Sequence, residues 1–165
     1  MSTMTTCLWF NGKAEEAVKF YLSVFKGAKT LGVSRYVKDV ARAHGYKEGS
    51  VLAVWFQALG HKFIAMNARP AQKFNESVSF VIECKNQAEI DYYWKRLTSG
   101  GGKGIQCGWL KDKFGVTWQV TPAVLGKMVC DPDPAKVARV MEAFGPMKKI
   151  DLAKVERAYR RASSK

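Results

Sequence analysis

Histidine is nearly absent from this chain: His44 and His61 are the two in 165 residues. Both fall where a loop or a turn is expected, so they offer no obvious general base for a Ser-His-Asp or Cys-His arrangement. Cysteine is sparse and scattered at Cys7, Cys84, Cys107 and Cys130, with no Cys-x-x-Cys pair. A Cys/His metal cluster therefore has little support, and reduced, buried structural thiols are expected. Glycine-rich cofactor loops are missing as well. Phe10-Asn11-Gly12-Lys13 holds a single glycine. Gly100-Gly101-Gly102 follows an expected helix, and Lys103 precedes Gly104 rather than Ser or Thr, so the triplet ends a helix and cradles no phosphate. No apolar run approaches the ~20 residues of a membrane span. Met1 to Thr6 has neither the basic nor the apolar segment of a signal peptide. A cytoplasmic protein, with no membrane association, is expected.

Acidic residues are the other shortage, 14 against 27 lysines and arginines, for a net charge of +13. The excess is uneven: residues 136–165 carry nine basic and three acidic side chains, and residues 1–135 carry eighteen and eleven. A nucleic-acid partner would require these charges on one face with interleaved aromatics. In the tail, Val137, Val140, Met141 and Phe144 alternate with charges at helical spacing, which is the solvated face of an amphipathic helix. The charge is assigned to solubility or an acidic ligand, and nucleic acid is not expected as a partner.

What is present is an ordinary globular composition, 47% apolar and 25% charged, organised around Cys107 to Thr121. This stretch reads as two short strands around an Asp112–Gly115 turn. Val116, Trp118 and Val120 alternate with Thr117, Gln119 and Thr121, an apolar face backed by a polar one. Upstream, Thr5–Phe10 is a strand, and Asn11 is placed to cap a helix over Lys13–Phe25 with its stripe Ala14, Ala17, Val18, Tyr21, Leu22 and Phe25. Lys29–Tyr36 is a strand and Val37–Glu48 a polar, mobile loop. Ser50–Ala58 and Lys62–Asn67 form a hairpin about Leu59-Gly60-His61. After a linker at 68–75 the plan repeats: a strand at Ser77–Cys84, a helix from Asn86 with Ile90, Tyr93, Trp94 and Leu97, and the organising hairpin. At an offset of 73, Glu16 meets Glu89, Ala17 meets Ile90, Phe20 meets Tyr93 and Tyr21 meets Trp94, which suggests an internal duplication. Helices are expected at Ala123–Val129, Pro134–Ala143 and Leu152–Arg161, with Asp133 and Asp151 at their starts.

The run Leu8-Trp9-Phe10-Asn11-Gly12-Lys13-Ala14-Glu15-Glu16-Ala17 with Phe20-Tyr21 resembles the opening of PhnB-like proteins. Tyr92-Tyr93-Trp94, Cys107 to Asp112, Trp118-Gln119-Val120, Met147 to Asp151 and Glu156 to Tyr159 match as well. These proteins belong to the glyoxalase/bleomycin-resistance/dioxygenase, or vicinal oxygen chelate, superfamily. The resemblance implies an α+β fold of two βαβββ modules whose curved mixed sheets enclose a cavity, followed by C-terminal helices. Their expected extents are 1–67, 76–121 for a shortened second module, and 122–165 for the tail. A homodimer is implied too. Some members carry a 3-demethylubiquinone 3-methyltransferase label, which the glycine pattern here does not support.

Enzymes of the superfamily hold a divalent metal at four strand positions, which fall here near Thr6, Asn67, Ser77 or Ser79, and Gln119. Neutral hydroxyls and amides bind such ions too weakly, so no metal and no cofactor are expected. Alternation along the strands turns Trp55, Gln57, Ala65, Asn67, Thr117 and Gln119 toward the cavity, with Trp109 nearby. Trp55, Gln57, Asn67, Trp109 and Gln119 are the candidate ligand-binding residues, although Trp55 and Trp109 equally suit core or dimer packing. The expected function is metal-free binding of a small aromatic or amphipathic molecule. The alternative is a metal-dependent isomerase, lyase or dioxygenase.

Overall fold

The structure, a computed structural model, describes residues 2–70 and 72–161. Two compact units divide the chain between Lys73 and Phe74. In the first, β1 (Thr6–Phe10), α1 (Ala14–Val24), β2 (Lys29–Arg35), α2 (Lys38–His44), β3 (Val51–Ala58) and β4 (His61–Asn67) follow in order. The strands form one open sheet in the order β1-β4-β3-β2, with β1 parallel to β4 and the other neighbours antiparallel. The stripe on α1 buries Ala14, Ala17, Val18, Tyr21 and Val24 against β3 and β4. Tyr21 stacks on Phe56 at 5.8 Å between ring centroids, and Phe56 on Phe63 at 5.0 Å.

Two local expectations are corrected here. Val37–Glu48 is no loop but contains α2, which ends on Gly45 in the left-handed conformation. Its one buried residue is Ala41, so it needs no apolar stripe and leaves no periodic signal. Asn11 does not cap α1: Lys13 occupies that position without a side-chain bond, and the first helical amide, Ala14 N–H, donates instead to Asn67 Oδ1 at 2.9 Å.

The second unit repeats the plan with β5 (Phe80–Cys84), α3 (Gln87–Leu97), a 3-10 turn at Ser99–Gly101, β6 (Lys103–Gly104), β7 (Trp109–Lys111) and β8 (Thr117–Pro122). The sheet order is β5-β8-β7-β6, again with the first strand parallel to the last. Asn86 caps α3 as its residue type predicts, accepting from Glu89 N–H at 3.0 Å. α3 packs on β5, β7 and β8. Gly104 is a necessity of that packing, because a Cβ there would collide with the Trp94 ring. The fold class is thus α+β, with two open four-stranded mixed sheets and helices.

After β8 come α4 (Leu125–Val129), α5 (Pro134–Phe144) and α6 (Leu152–Arg160). They bury a small core of their own around Leu125, Met128, Val140, Ile150 and Val155. Asp133 and Asp151 cap α5 and α6, as their positions predict. Gln87 ties the tail to α3, its Nε2 donating to Ile150 O and its Oε1 accepting from Leu152 N–H. Cys107 N–H and Gly108 N–H donate to Met147 O and Lys148 O. Gly108 has φ +80°, and a Cβ there would lie 2.9 Å from the Ile150 side chain, so glycine is required on both counts.

Candidate functional site

Strand pairing sorts each sheet into a face covered by its own helix and a face that helix leaves uncovered. In the first unit Leu8, Phe10, Val54, Phe56, Phe63 and Ala65 lie under α1, all buried. The uncovered face carries Trp55 opposite Ile64, Gln57 opposite Lys62, and Trp9 beside Met66. Trp55 is 38% exposed. The Trp9 indole N–H is buried and finds no acceptor among the described residues. Gln57 turns one end of its amide to its own hairpin, Nε2 donating to Gly60 O at 3.2 Å, which leaves its carbonyl end for other partners.

Asn67, expected beside Trp55, is on the opposite face, and so is Ala65. Asn67 is 4% exposed, and its amide serves the fold: Oδ1 accepts from Ala14 N–H and Nδ2 donates to Val51 O at 3.0 Å. His61, expected as an exposed turn residue, opens β4 half-buried, with Nε2 2.9 Å from Thr6 Oγ1 and its ring edge-on to Phe63. His44 is exposed at the end of α2, as expected of a solvated residue.

In the second unit Phe80, Ile82, Leu110, Trp118 and Val120 lie under α3. Trp109 stands directly opposite Gln119 on the uncovered face, with Val81 on the other side of Gln119. Gln119 is half-buried, and its Nε2 donates to Ser79 Oγ at 2.8 Å. Its neighbours Thr117 and Thr121 are buried, and Thr117 Oγ1 donates to Asn75 O, so the incoming segment before β5 claims part of this polar row. Trp55 and Gln57 thus share one face, and Trp109 and Gln119 share another in the other unit.

The turn that organises the second sheet is held by one carboxylate. Asp112 is 3% exposed; Oδ1 accepts from Phe114 N–H and Val116 N–H, and Oδ2 from Trp118 Nε1–H at 2.9 Å. The turn was legible, but the indole bond across six residues was not. Beside it, Lys111 pairs with Glu76 at 2.5 Å, and this hydrogen bond holds the Glu76 carboxyl below its usual range. Ser79 is reached only through the resemblance, as one of two serines at an aligned position, and Trp9 reads as an ordinary strand residue.

The cysteines divide by position. Cys84 is buried, with burial pushing its thiol up to about 12, whereas Cys7 and Cys130 are exposed, contrary to the expectation of buried thiols throughout. Burial of Cys7 fails because it sits on the uncovered face.

A divalent metal of the kind the superfamily uses does not fit these residues. Among the described residues no three His, Cys, Asp or Glu side chains gather as a metal cluster. Of the aligned positions, Asn67 and Thr6 are engaged within the fold, and Gln119 and Ser79 offer a neutral amide and hydroxyl bonded to each other.

With this geometry in hand, the comparisons place the chain. The sequence profile described as 3-demethylubiquinone-9 3-methyltransferase matches residues 2–121. A PhnB protein from Bacillus cereus, described by the same activity, is 32% identical with a TM-score of 0.63; the match covers 74% of this chain and 100% of that one. A Pseudomonas aeruginosa protein is similar at 20% identity and TM-score 0.56, over 74% of this chain and 98% of its own. The fosfomycin resistance protein FosX from Listeria monocytogenes shares the fold at 13% identity and TM-score 0.53, over 76% of this chain and 94% of its own. Comparison with curated proteins finds no match. Residues beyond 121, which hold α4, α5 and α6, lie outside the profile match. Among the described residues no helix is long and apolar enough to cross a membrane. The chain belongs to the 3-demethylubiquinone-9 3-methyltransferase-like (PhnB) family of the vicinal oxygen chelate superfamily.

Proposed function

We propose that this PhnB-like chain binds a small aromatic or amphipathic molecule on its uncovered sheet faces, without a metal. The observation that carries the reading is the pairing on those faces: an indole beside an amide on each, Trp55 with Gln57 and Trp109 opposite Gln119. Indoles supply broad stacking area and amides fix orientation, the usual division of labour in a small-molecule site. The Trp9 N–H, buried and without an acceptor among the described residues, adds a donor for a ligand acceptor on the first face.

Methyl transfer, which the family description names, gains no support from the helix ends. The β1–α1 connection is Asn11-Gly12-Lys13, with one glycine, and the first helical N–H is already taken by Asn67. The donor set described above likewise favours binding without a metal over metal-dependent isomerase, lyase or dioxygenase chemistry. Elemental analysis of freshly purified protein tests this. A stoichiometric transition metal, lost together with an activity, would overturn the metal-free reading.

The protein is also proposed to be a homodimer, because each sheet has its own helix on one face alone. Light scattering at micromolar concentration checks it; an 18.5 kDa species unchanged by concentration would refute it. A thermal-shift screen of small molecules tests the binding itself, since a ligand of the native state raises the unfolding midpoint. Loss of that shift in Trp109→Ala or Gln119→Ala assigns it to the second face; a shift indifferent to Trp55, Trp109 and Gln119 removes these faces as the site.

A further inference from the structure

The lysines at the outer edge of the second sheet are placed against their own electrostatics. Lys103 on β6 and Lys111 on β7 stand directly opposite each other in the antiparallel register. Their side chains therefore leave the sheet on the same face, and like charges so placed oppose strand pairing. β6 is two residues long, and the Glu76 carboxylate paired with Lys111 offsets that repulsion only from the Lys111 side. Lys113, in the following turn, sits with its ammonium 4.9 Å from the Phe114 ring centroid.

All three lysines line one open cleft of about 680 Å³, whose remaining walls include Phe114, Glu76 and side-chain-free glycines. Two carboxylates border it. Asp112 is buried and bonded to the turn amides and the Trp118 indole, and Glu76 pairs with Lys111 while half-exposed. Lys103 finds no carboxylate among the described residues. Counting both acids, the lining is still net positive, and the lysines converge from two strands and a turn.

We propose that this cleft is an oxyanion site, taking the phosphate or carboxylate group of a small molecule between Lys103, Lys111 and Lys113. A bound oxyanion offsets the repulsion across β6 and β7 and gives the Lys103 ammonium a charge-assisted acceptor. Lys111 shares its face with Trp109, Thr117 and Gln119, so the inference rests on the reading of that face as a binding surface and adds the charge of what it binds.

The test is calorimetric titration of the full chain with inorganic phosphate at low ionic strength. Lys103→Gln is compared with Lys154→Gln, an equal charge change on exposed α6. The expected result is saturable binding at one site per chain, weakened by roughly tenfold in Lys103→Gln, the worth of one charge-assisted hydrogen bond, and unchanged in Lys154→Gln. In phosphate-free buffer, Lys103→Gln should melt no lower than the parent, because it removes a like-charge neighbour. Absence of saturable binding, or equal weakening in both variants, overturns the proposal, the latter because it signals attraction to the net charge alone. A Lys103→Gln midpoint several degrees below the parent overturns it too, by giving that lysine a structural role. Phosphate binding without any small-molecule hit leaves the oxyanion site standing and counts against the wider face. A neutral molecule lost with Trp109, in the absence of phosphate binding, does the reverse.

Discussion

Trp118→Ala should unfold the second unit, and its chain neighbour Gln119→Ala should not. Trp118 is 4% exposed beneath α3, its ring tilted against Phe80 at 5.2 Å between centroids, and donates its indole N–H to Asp112 Oδ2. Truncating a buried Trp typically costs about 3–5 kcal/mol. It also strands a buried carboxylate oxygen, which adds about 1–3 kcal/mol. The sum, about 4–8 kcal/mol, rivals the whole stability of an ordinary domain. Trp118→Phe separates the two contributions: it keeps most of the ring and removes the donor, so about 1–3 kcal/mol should be lost. Gln119 is half-buried and bonded to Ser79, so its truncation should cost about 0.5–1.5 kcal/mol. Urea denaturation followed by far-UV circular dichroism, with all three variants beside the parent, reads these differences directly. If Gln119→Ala loses several kcal/mol while Trp118→Ala loses little, the facing of β8 is inverted, and every assignment on its uncovered side falls with it.

Asn67→Ala should behave as a folding mutation and leave ligand binding on the uncovered face intact in whatever folded protein remains. It strands Ala14 N–H and Val51 O, each buried, for a loss of about 2–6 kcal/mol by the same denaturation assay. Thiol labelling with a disulfide reagent at pH 8 should modify Cys7 and Cys130 in the native state and reach Cys84 after unfolding alone, given its burial and its thiol at about 12; rapid native labelling of Cys84 would contradict the packing of β5. Asp91 is held below the usual carboxylate range by its hydrogen bonds to Lys149 and then to Gln87. Its folded-state pKa is depressed, so its stabilisation is present above the ordinary carboxylate pKa of about 4 and is lost as pH falls through the lower folded value. Asp91→Asn should therefore lower stability at neutral pH slightly and flatten the acid limb of the stability profile.

Elements written into local sequence were legible: the stripes of α1 and α3, the helix starts at Asn86 and Asp133, the Asp112 turn, and the Asp151 cap. The facing of Asn67 was not, and the reason is a single residue of hairpin register. A three-residue turn at Leu59-Gly60-His61 would set Ala53 opposite Asn67 and bring Trp55, Gln57, Ala65 and Asn67 to one face. The structure instead pairs Ala58 with His61 across a two-residue turn, with Leu59 at φ +48° and Gly60 at φ +79°. Such turns call for positive φ at both central residues, which Asn-Gly advertises and Leu-Gly does not. Because side chains alternate along a strand, that slip of one moves Ala65 and Asn67 to the other face. On β7 and β8 the turn chemistry of Asp112 and Gly115 fixed the register, and the alternation read from sequence held there.

The two units also answer one shared problem differently, and the difference reaches the tail. Each has a helix packed beneath a sheet whose first strand pairs in parallel with its last, Phe10 beside Asn67 and Cys84 beside Pro122. In both, the first amides of the helix need an acceptor. The second unit supplies it locally, from Asn86 to Glu89 N–H. The first has Lys13 at the cap position and borrows the side chain of Asn67 from the end of its last strand, 53 residues away. The corresponding place in the second unit is thereby released from capping, and it holds Pro122, whose ring neither donates nor accepts through a side chain. From there the chain is free to leave the sheet into α4, α5 and α6, the part that lies outside the family match. A remote cap in one copy and a local cap in the other leave no common signature at the helix starts. This is why the duplication is weak in sequence and plain in strand order.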